Sequence, residues 1–334
     1  MGGLSYGFSD LKTPDPAPRS NHGSMQGYRA RTIGLALVAH TGFGLYVVLV
    51  KYLLRYLPPF GLLAVAFGIA VPVTFFVARP ALGWRDFCCA QIWLLLGIVV
   101  VRSVSKLLAL QFTLATYVQL IDLSVPFFTP IVARMLLREA VPSRTLAALA
   151  AISFGSFLVV TVDPFDVQLP NGHSDLVGIA LALTTSLAMA LGVVYTRYLT
   201  TRRRLNPARV FFQQIMALAI TYGVLSALTG ESWQPFAALT VSDWIIYVLF
   251  VLVAIIGAGL AQVLSISRIN ATLFSTLLSW RLMVALGAGW ALLGERLTSV
   301  WQGIGAVVVI LAITLYLQHQ ATSHAYMKVQ KLNE

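Results

Sequence analysis

The sequence predicts an all-α polytopic membrane protein, with ten transmembrane helices arranged as two inverted five-helix repeats. Three observations predict it. Hydrophobic residues fill 58% of the 334 positions and charged residues only 10%, with a mean hydropathy of +0.82, which is more apolar surface than one soluble core can hide. Apolar stretches of bilayer-crossing length recur along the chain. Features of the first half also return in the second.

A crossing helix needs roughly 20 mainly apolar residues, because no backbone polar group can go unpaired in hydrocarbon. Ten stretches qualify, at about 32–52, 59–78, 90–112, 116–137, 143–162, 175–197, 208–229, 243–265, 269–293 and 298–318. Only the weak break FTLATY divides the third from the fourth, so nine spans is the competing count. Residues 1–30 are rich in Gly, Ser and Pro, lack an apolar h-region and read as a disordered cytoplasmic tail. Residues 319–334 form a second tail. The cysteines are the adjacent Cys88 and Cys89, a spacing that suits neither an ordinary disulfide nor a zinc site. They are expected to pack near the interface, with lipid modification as the alternative.

The net charge of +11 would suggest nucleic acid in a soluble domain, but here the basic residues fall mostly between apolar segments. A nucleic-acid partner is therefore not expected; the expected partners are the lipid bilayer and a small-molecule substrate. With the N-terminus cytoplasmic, that side receives Lys12, Arg19, Arg29, Arg31, Arg79, Arg85, Arg138, Arg144, Arg197, Arg202, Arg203, Arg204, Arg209, Arg268, Lys328 and Lys331, sixteen in all. The other side receives three, Lys51, Arg55 and Arg296. This positive-inside bias puts both termini in the cytoplasm and favours an even number of spans.

Glu139 and Glu295 lie 156 positions apart, and aligning them also pairs Leu136 with Leu292, Leu137 with Leu293, Ser143 with Ser299 and Ala150 with Ala306. Earlier in each half, VVLVKYLLRYL (47–57) echoes VVYTRYLTTRR (193–203). The expected organisation is a first repeat at 31–163, an external linker at 164–174 and a second repeat at 175–318. Because five is odd, the second repeat must be inverted, an arrangement common in alternating-access transporters whose substrate site lies near the midplane.

The stretches LSVPFFTPIVARMLLREAV, LSWRLMVALGAGWALLGERL and HTGFGLYVVLVKYLL resemble the fourth-helix and first-helix signatures of the EamA family, within the drug/metabolite transporter superfamily. The resemblance covers about residues 30–320. It implies a secondary transporter in which spans one to four and six to nine surround a central cavity, with five and ten peripheral. Arg138 stands where the family usually has Gly and His40 where it often has Trp, so the substrate does not carry over.

Ionisable side chains inside spans are costly, roughly 2.5 to 3.5 kcal/mol each at a helix centre on insertion scales, so each should face protein or water and have a partner. The candidates are Arg102, Lys106, Asp122 and Arg281. Arg134, one turn before Arg138, is expected to snorkel to the cytoplasmic edge. At a rise of about 1.5 Å per residue, Lys106 and Asp122 lie at similar depths of about 13 and 10 Å below their connecting turn. They could pair. Arg102 lies one turn deeper on the same face, and Arg281, about 21 Å from Glu295, is also near the midplane.

Three cations against one aspartate leave a surplus positive charge that a bound anion would relieve, and Arg offers a planar fork suited to carboxylate or phosphate. The expected substrate is therefore a small polar metabolite bearing a negative group. Pairing with Asp122 or with helix C-terminal carbonyls is the structural alternative. Asp122 and His40 are candidates for an ion pair or for carrying a coupling proton, with simple packing as the alternative for His40. Tyr117, Gln214, Gln262 and Trp280 are candidate substrate-binding wall residues by position in the cavity-lining spans, with helix packing as the alternative. Pro126 and Pro130, one turn apart, should bend the fourth span and are candidates for gating, a static kink being the alternative.

The sequence contains no HExxH, no clustered metal-ligand pattern, no nucleophile motif and no GxxxxGK[ST] loop, so neither an enzyme, nor a cofactor or metal, nor ATP-driven transport is expected. The expected function is secondary active transport, with an amino-acid or neutral-metabolite exporter as the alternative substrate class. A receptor or scaffold is the non-transport alternative. A bacterial inner membrane is the simplest location, an organelle the other.

Overall fold

The computed structural model describes residues 31–78, 90–112, 118, 121–122, 124–138, 176–269 and 271–292 with their side chains, the backbone of 22–30, 173–175 and 293, and scattered positions within 147–158 and 300–315. Every bounded element is a helix. Among the described residues seven helices are long and apolar enough to cross a membrane, and an eighth is apolar but shorter.

In chain order these are α1 (His22–Leu53), α2 (Pro59–Ala78), α3 (Ala90–Phe112), α4 (Val125–Leu137), α5 (His173–Arg197), α6 (Pro207–Leu228) and α7 (Val241–Ile266), followed by α8 (Ala271–Thr276) and α9 (Leu278–Leu293). They account for eight of the ten expected spans. Expected spans 143–162 and 298–318 fall largely outside the described residues, as do Tyr117, Glu139 and Glu295.

Several boundaries have clear local causes. Pro207 opens α6 where its missing N–H costs nothing, and the Asn206 side chain accepts from the Ala208 amide. Thr240 and Asp243 form a reciprocal capping box at the start of α7. Pro59 opens α2, and Glu231 accepts from the Phe60 and Gly61 amides at 3.1 and 2.6 Å, placing a carboxylate on that helix N-terminus. At the other end of the chain's first span, α1 begins at His22, within the segment expected as a tail; extending an existing helix is far easier than nucleating one.

Two spans are interrupted. α4 starts only at Val125, after a turn at Ser124, with Pro126 in its first turn and Pro130 inside. The expected ninth span breaks at Leu277 into α8 and α9. With Glu139 aligned on Glu295, Leu277 corresponds to Ile121, so the two interruptions fall within three residues of each other. α5 is extended by a wider π-turn at Tyr198–Arg202, and α7 contains another at Phe250–Gly257.

Most packing runs between the halves, with α6 against α7 and α5 against α7 and α8 inside the second half. α1 packs against α7 and α9, α2 against α6 and α7, α3 against α5 and α6, and α4 against α5 and α8. Exchanging each first-half helix with its second-half counterpart reproduces the contacts between the halves: α3·α5 becomes α7·α1, α1·α9 becomes α5·α4, α3·α6 becomes α7·α2, and α2·α6 maps onto itself. Polar links at one end of the bundle follow the same rule, for Glu231 joins α2, Tyr52 donates to Asp243 at 3.2 Å, and Tyr247 donates to the Leu62 carbonyl at 2.7 Å.

Candidate functional site

The helices enclose a cavity with about 770 Å³ of space not filled by atoms, including what is open to solvent. α3 supplies Arg102, Ser103 and Lys106, with Lys106 four residues from Arg102 and three from Ser103, the spacings at which side chains neighbour one another on a helix. α9 supplies Arg281 from the other half, and α6 and α7 supply Gln214 and Gln262. Five sequence candidates thus meet in one space. A smaller recess adjoining it is lined by Lys106, Asp122 and Arg281. A third, lined by Arg102, Gln214 and Gln262, continues from it past Thr196 toward Ile266 at the end of α7.

Lys106 Nζ donates to Asp122 Oδ2 at 2.5 Å, in a pair whose side chains are 15% and 8% exposed. The Ser186 hydroxyl of α5 donates to the other carboxylate oxygen at 3.3 Å. Asp122 is therefore held by both halves and its charge is committed to Lys106. Arg281 lies over the Phe43 ring, 5.5 Å from its centroid, a cation–π contact. The Arg102 guanidinium makes no hydrogen bond or ion pair with any described residue, while the Arg102 carbonyl accepts from the Ser105 hydroxyl at 3.4 Å. Asp122 is the one carboxylate lining these spaces among the described residues, so three cations face one anion.

The other candidates lie elsewhere. Trp280 directs its indole N–H to the Thr41 hydroxyl at 3.0 Å and does not line the cavity, since adjacent helical residues diverge by about 100°. His40 is buried, with Nε2 donating to the Phe274 carbonyl at 3.0 Å and its ring 4.5 Å from that of Phe274. That carbonyl stands where the helix breaks at Leu277, so His40 satisfies a group the interruption weakens. Pro126 and Pro130 are buried in α4. Tyr117 lies outside the described residues, and Arg134 is exposed.

Sequence reasoning missed the cavity's aromatic wall, Phe43, Tyr46, Phe67 and Phe211. Phe43 and Tyr46 are three apart on α1, the one available signal that they share a face. It also missed Ser103, bonded to the Tyr222 hydroxyl at 2.7 Å, and Thr185, bonded to Ser105 at 2.8 Å. Close approach around the site depends on Gly44, where an added Cβ would meet the Arg281 carbonyl at 2.7 Å and Val284 Cβ at 2.8 Å.

A helical bundle of membrane-spanning length, with a cation-lined cavity where its halves meet, defines an integral membrane protein with an internal polar site. More particularly, the chain belongs to the EamA-like transporter family, whose model matches residues 30–161 and again 176–318, giving two repeats of the drug/metabolite transporter type. Twenty-eight solved chains match it. One, titled "Crystal structure of protein", superposes with a TM-score of 0.71 at 14% identity, covering 86% of this chain and 96% of that one, a likeness of fold. No curated protein matches in sequence.

Proposed function

We propose that the chain is a secondary active transporter that carries a small anionic metabolite, bearing carboxylate or phosphate, by alternating access between two inverted five-helix repeats. The observation that carries this reading is the meeting of Arg102 from one half and Arg281 from the other in a single cavity, beside a recess whose described carboxylate, Asp122, is already paired with Lys106. An anion between the two guanidiniums would relieve their repulsion and give both forks a ligand. The exchange symmetry of the helix packing and the matched interruptions in α4 and α8–α9 support the inverted repeat. Gln214 and Gln262 add hydrogen-bonding capacity, and the aromatic wall accommodates an apolar part of the substrate.

The test is a thermal-shift screen of the purified protein against organic acids, sugar phosphates, nucleotide sugars and amino acids, followed by flux into proteoliposomes. A charge-assisted hydrogen bond contributes about 1.5 to 3 kcal/mol, so Arg102→Ala and Arg281→Ala should each weaken binding of the stabilising anion by roughly ten- to a hundredfold. Stabilisation by neutral compounds alone, unchanged in both variants, would replace the anion reading with neutral-metabolite export. Flux unchanged in both variants would remove the cavity from the mechanism.

A further inference from the structure

Where α4 ends and the π-turn after α5 begins, a second concave site is lined by Leu136, Leu137, Arg138, Tyr198, Arg202 and Arg203. We infer that this is a binding site for the phosphodiester headgroup of an anionic phospholipid, independent of the cargo in the central cavity.

The backbone builds the site. Arg138 closes α4 in a left-handed conformation, φ 56°, which turns the chain sharply as the helix stops. From the other half, Arg202 reaches across to the last carbonyl of α4, Leu137, at 3.4 Å. One guanidinium thereby closes a helix C-terminus and still has donors to spare. Arg203 is held against Tyr198, its Nε donating to the phenol oxygen at 3.3 Å and its guanidinium 6.0 Å from the ring centroid. Three arginines thus converge from two helix ends, two of them with fixed orientations.

The chemistry of the lining selects the ligand. Among the described residues no carboxylate lines the site, and the guanidinium fork matches phosphate oxygens two at a time. Leu136 forms an exposed apolar edge, and α4 continues it with Ile131 and Met135, 60% and 80% exposed on the outside of the bundle. A soluble phosphate would use the arginines and leave that edge idle. A phospholipid would use both, its headgroup among the guanidiniums and its acyl chains along α4.

The test is native mass spectrometry of the full-length protein in detergent, with phosphatidylglycerol and phosphatidylcholine added in equal amounts, beside a melting curve with inorganic phosphate. Each arginine near an anionic lipid contributes roughly fivefold, so Arg138→Gln with Arg203→Gln should reduce phosphatidylglycerol retention roughly twentyfold and leave phosphatidylcholine retention unchanged. Should that variant fail to fold, Arg203→Lys keeps the charge, loses the fork and is expected to weaken retention severalfold. Equal retention of the two lipids by the native chain, or retention by the variants equal to that of the native chain, would overturn the proposal. Displacement of phosphatidylglycerol by millimolar inorganic phosphate would reassign the site to a soluble anion.

Discussion

Removing the charge of Asp122 should move stability and anion affinity in opposite directions. In Asp122→Asn, Lys106 stays beside Arg281 in the recess without the carboxylate now 2.5 Å from its Nζ. Breaking a buried pair costs about 3 to 5 kcal/mol, and the low end applies here because Lys106 also faces the open cavity. A loss of about 3 kcal/mol, at about 2 °C per kcal/mol for a chain of this size, lowers the melting temperature by about 6 °C. The same substitution raises the surplus charge around the cavity by one. For charges about 10 Å apart at an effective dielectric of about 20, one unit contributes about 1.7 kcal/mol, so a bound anion should be held roughly tenfold more tightly. Melting curves of the purified protein with and without the anion read both effects. Lys106→Gln with Asp122→Asn should recover most of the lost stability without the gain in affinity. A single variant that melts within about 1 °C of the native protein, or that binds the anion more weakly, would refute the reasoning.

Two further substitutions probe the framework. Gly44→Ala places a methyl group 2.7 Å from the Arg281 carbonyl and should cost about 1 to 3 kcal/mol by overpacking. Gly68→Ala meets nothing within 4 Å and should be neutral or stabilising by up to about 1 kcal/mol; parallel thermal melts compare the two. Glu231→Gln keeps an acceptor at the N-terminus of α2 but removes the charge, and should lower the melting temperature by about 2 °C through the loss of about 1 kcal/mol.

Much of the framework is legible in the sequence because hydrocarbon tolerates so few alternatives. α2 and α3 begin and end where the apolar runs 59–78 and 90–112 do. The break at Leu277 is another matter, since LFSTLLSW contains neither Pro nor Gly; the Ser275 and Thr276 hydroxyls bond the Thr272 and Leu273 carbonyls locally, and His40 bonds that of Phe274 from another helix. The π-turns in α5 and α7 leave composition and hydropathy unchanged and have no sequence signature. In the site, charge was the readable quantity: Arg102, Lys106, Arg281 and Asp122 stand out because ionised groups are rare in spans. The aromatic wall was hidden because Phe and Tyr occur throughout a membrane protein. Trp280 misled for a simpler reason, adjacency in sequence being no guide to a shared face on a helix.

The packing of the halves has a consequence for biosynthesis. Among the described residues, α1 to α4 make their most extensive helix contacts with the second half. As the chain emerges, its first helices enter the bilayer before most of the surfaces that will cover them exist. Lys106 and Asp122 are only 16 residues apart, so their charges can be neutralised by a neighbour synthesised almost at once. Arg102 has no such neighbour, and its surroundings are complete only when α9 delivers Arg281, some 180 residues later.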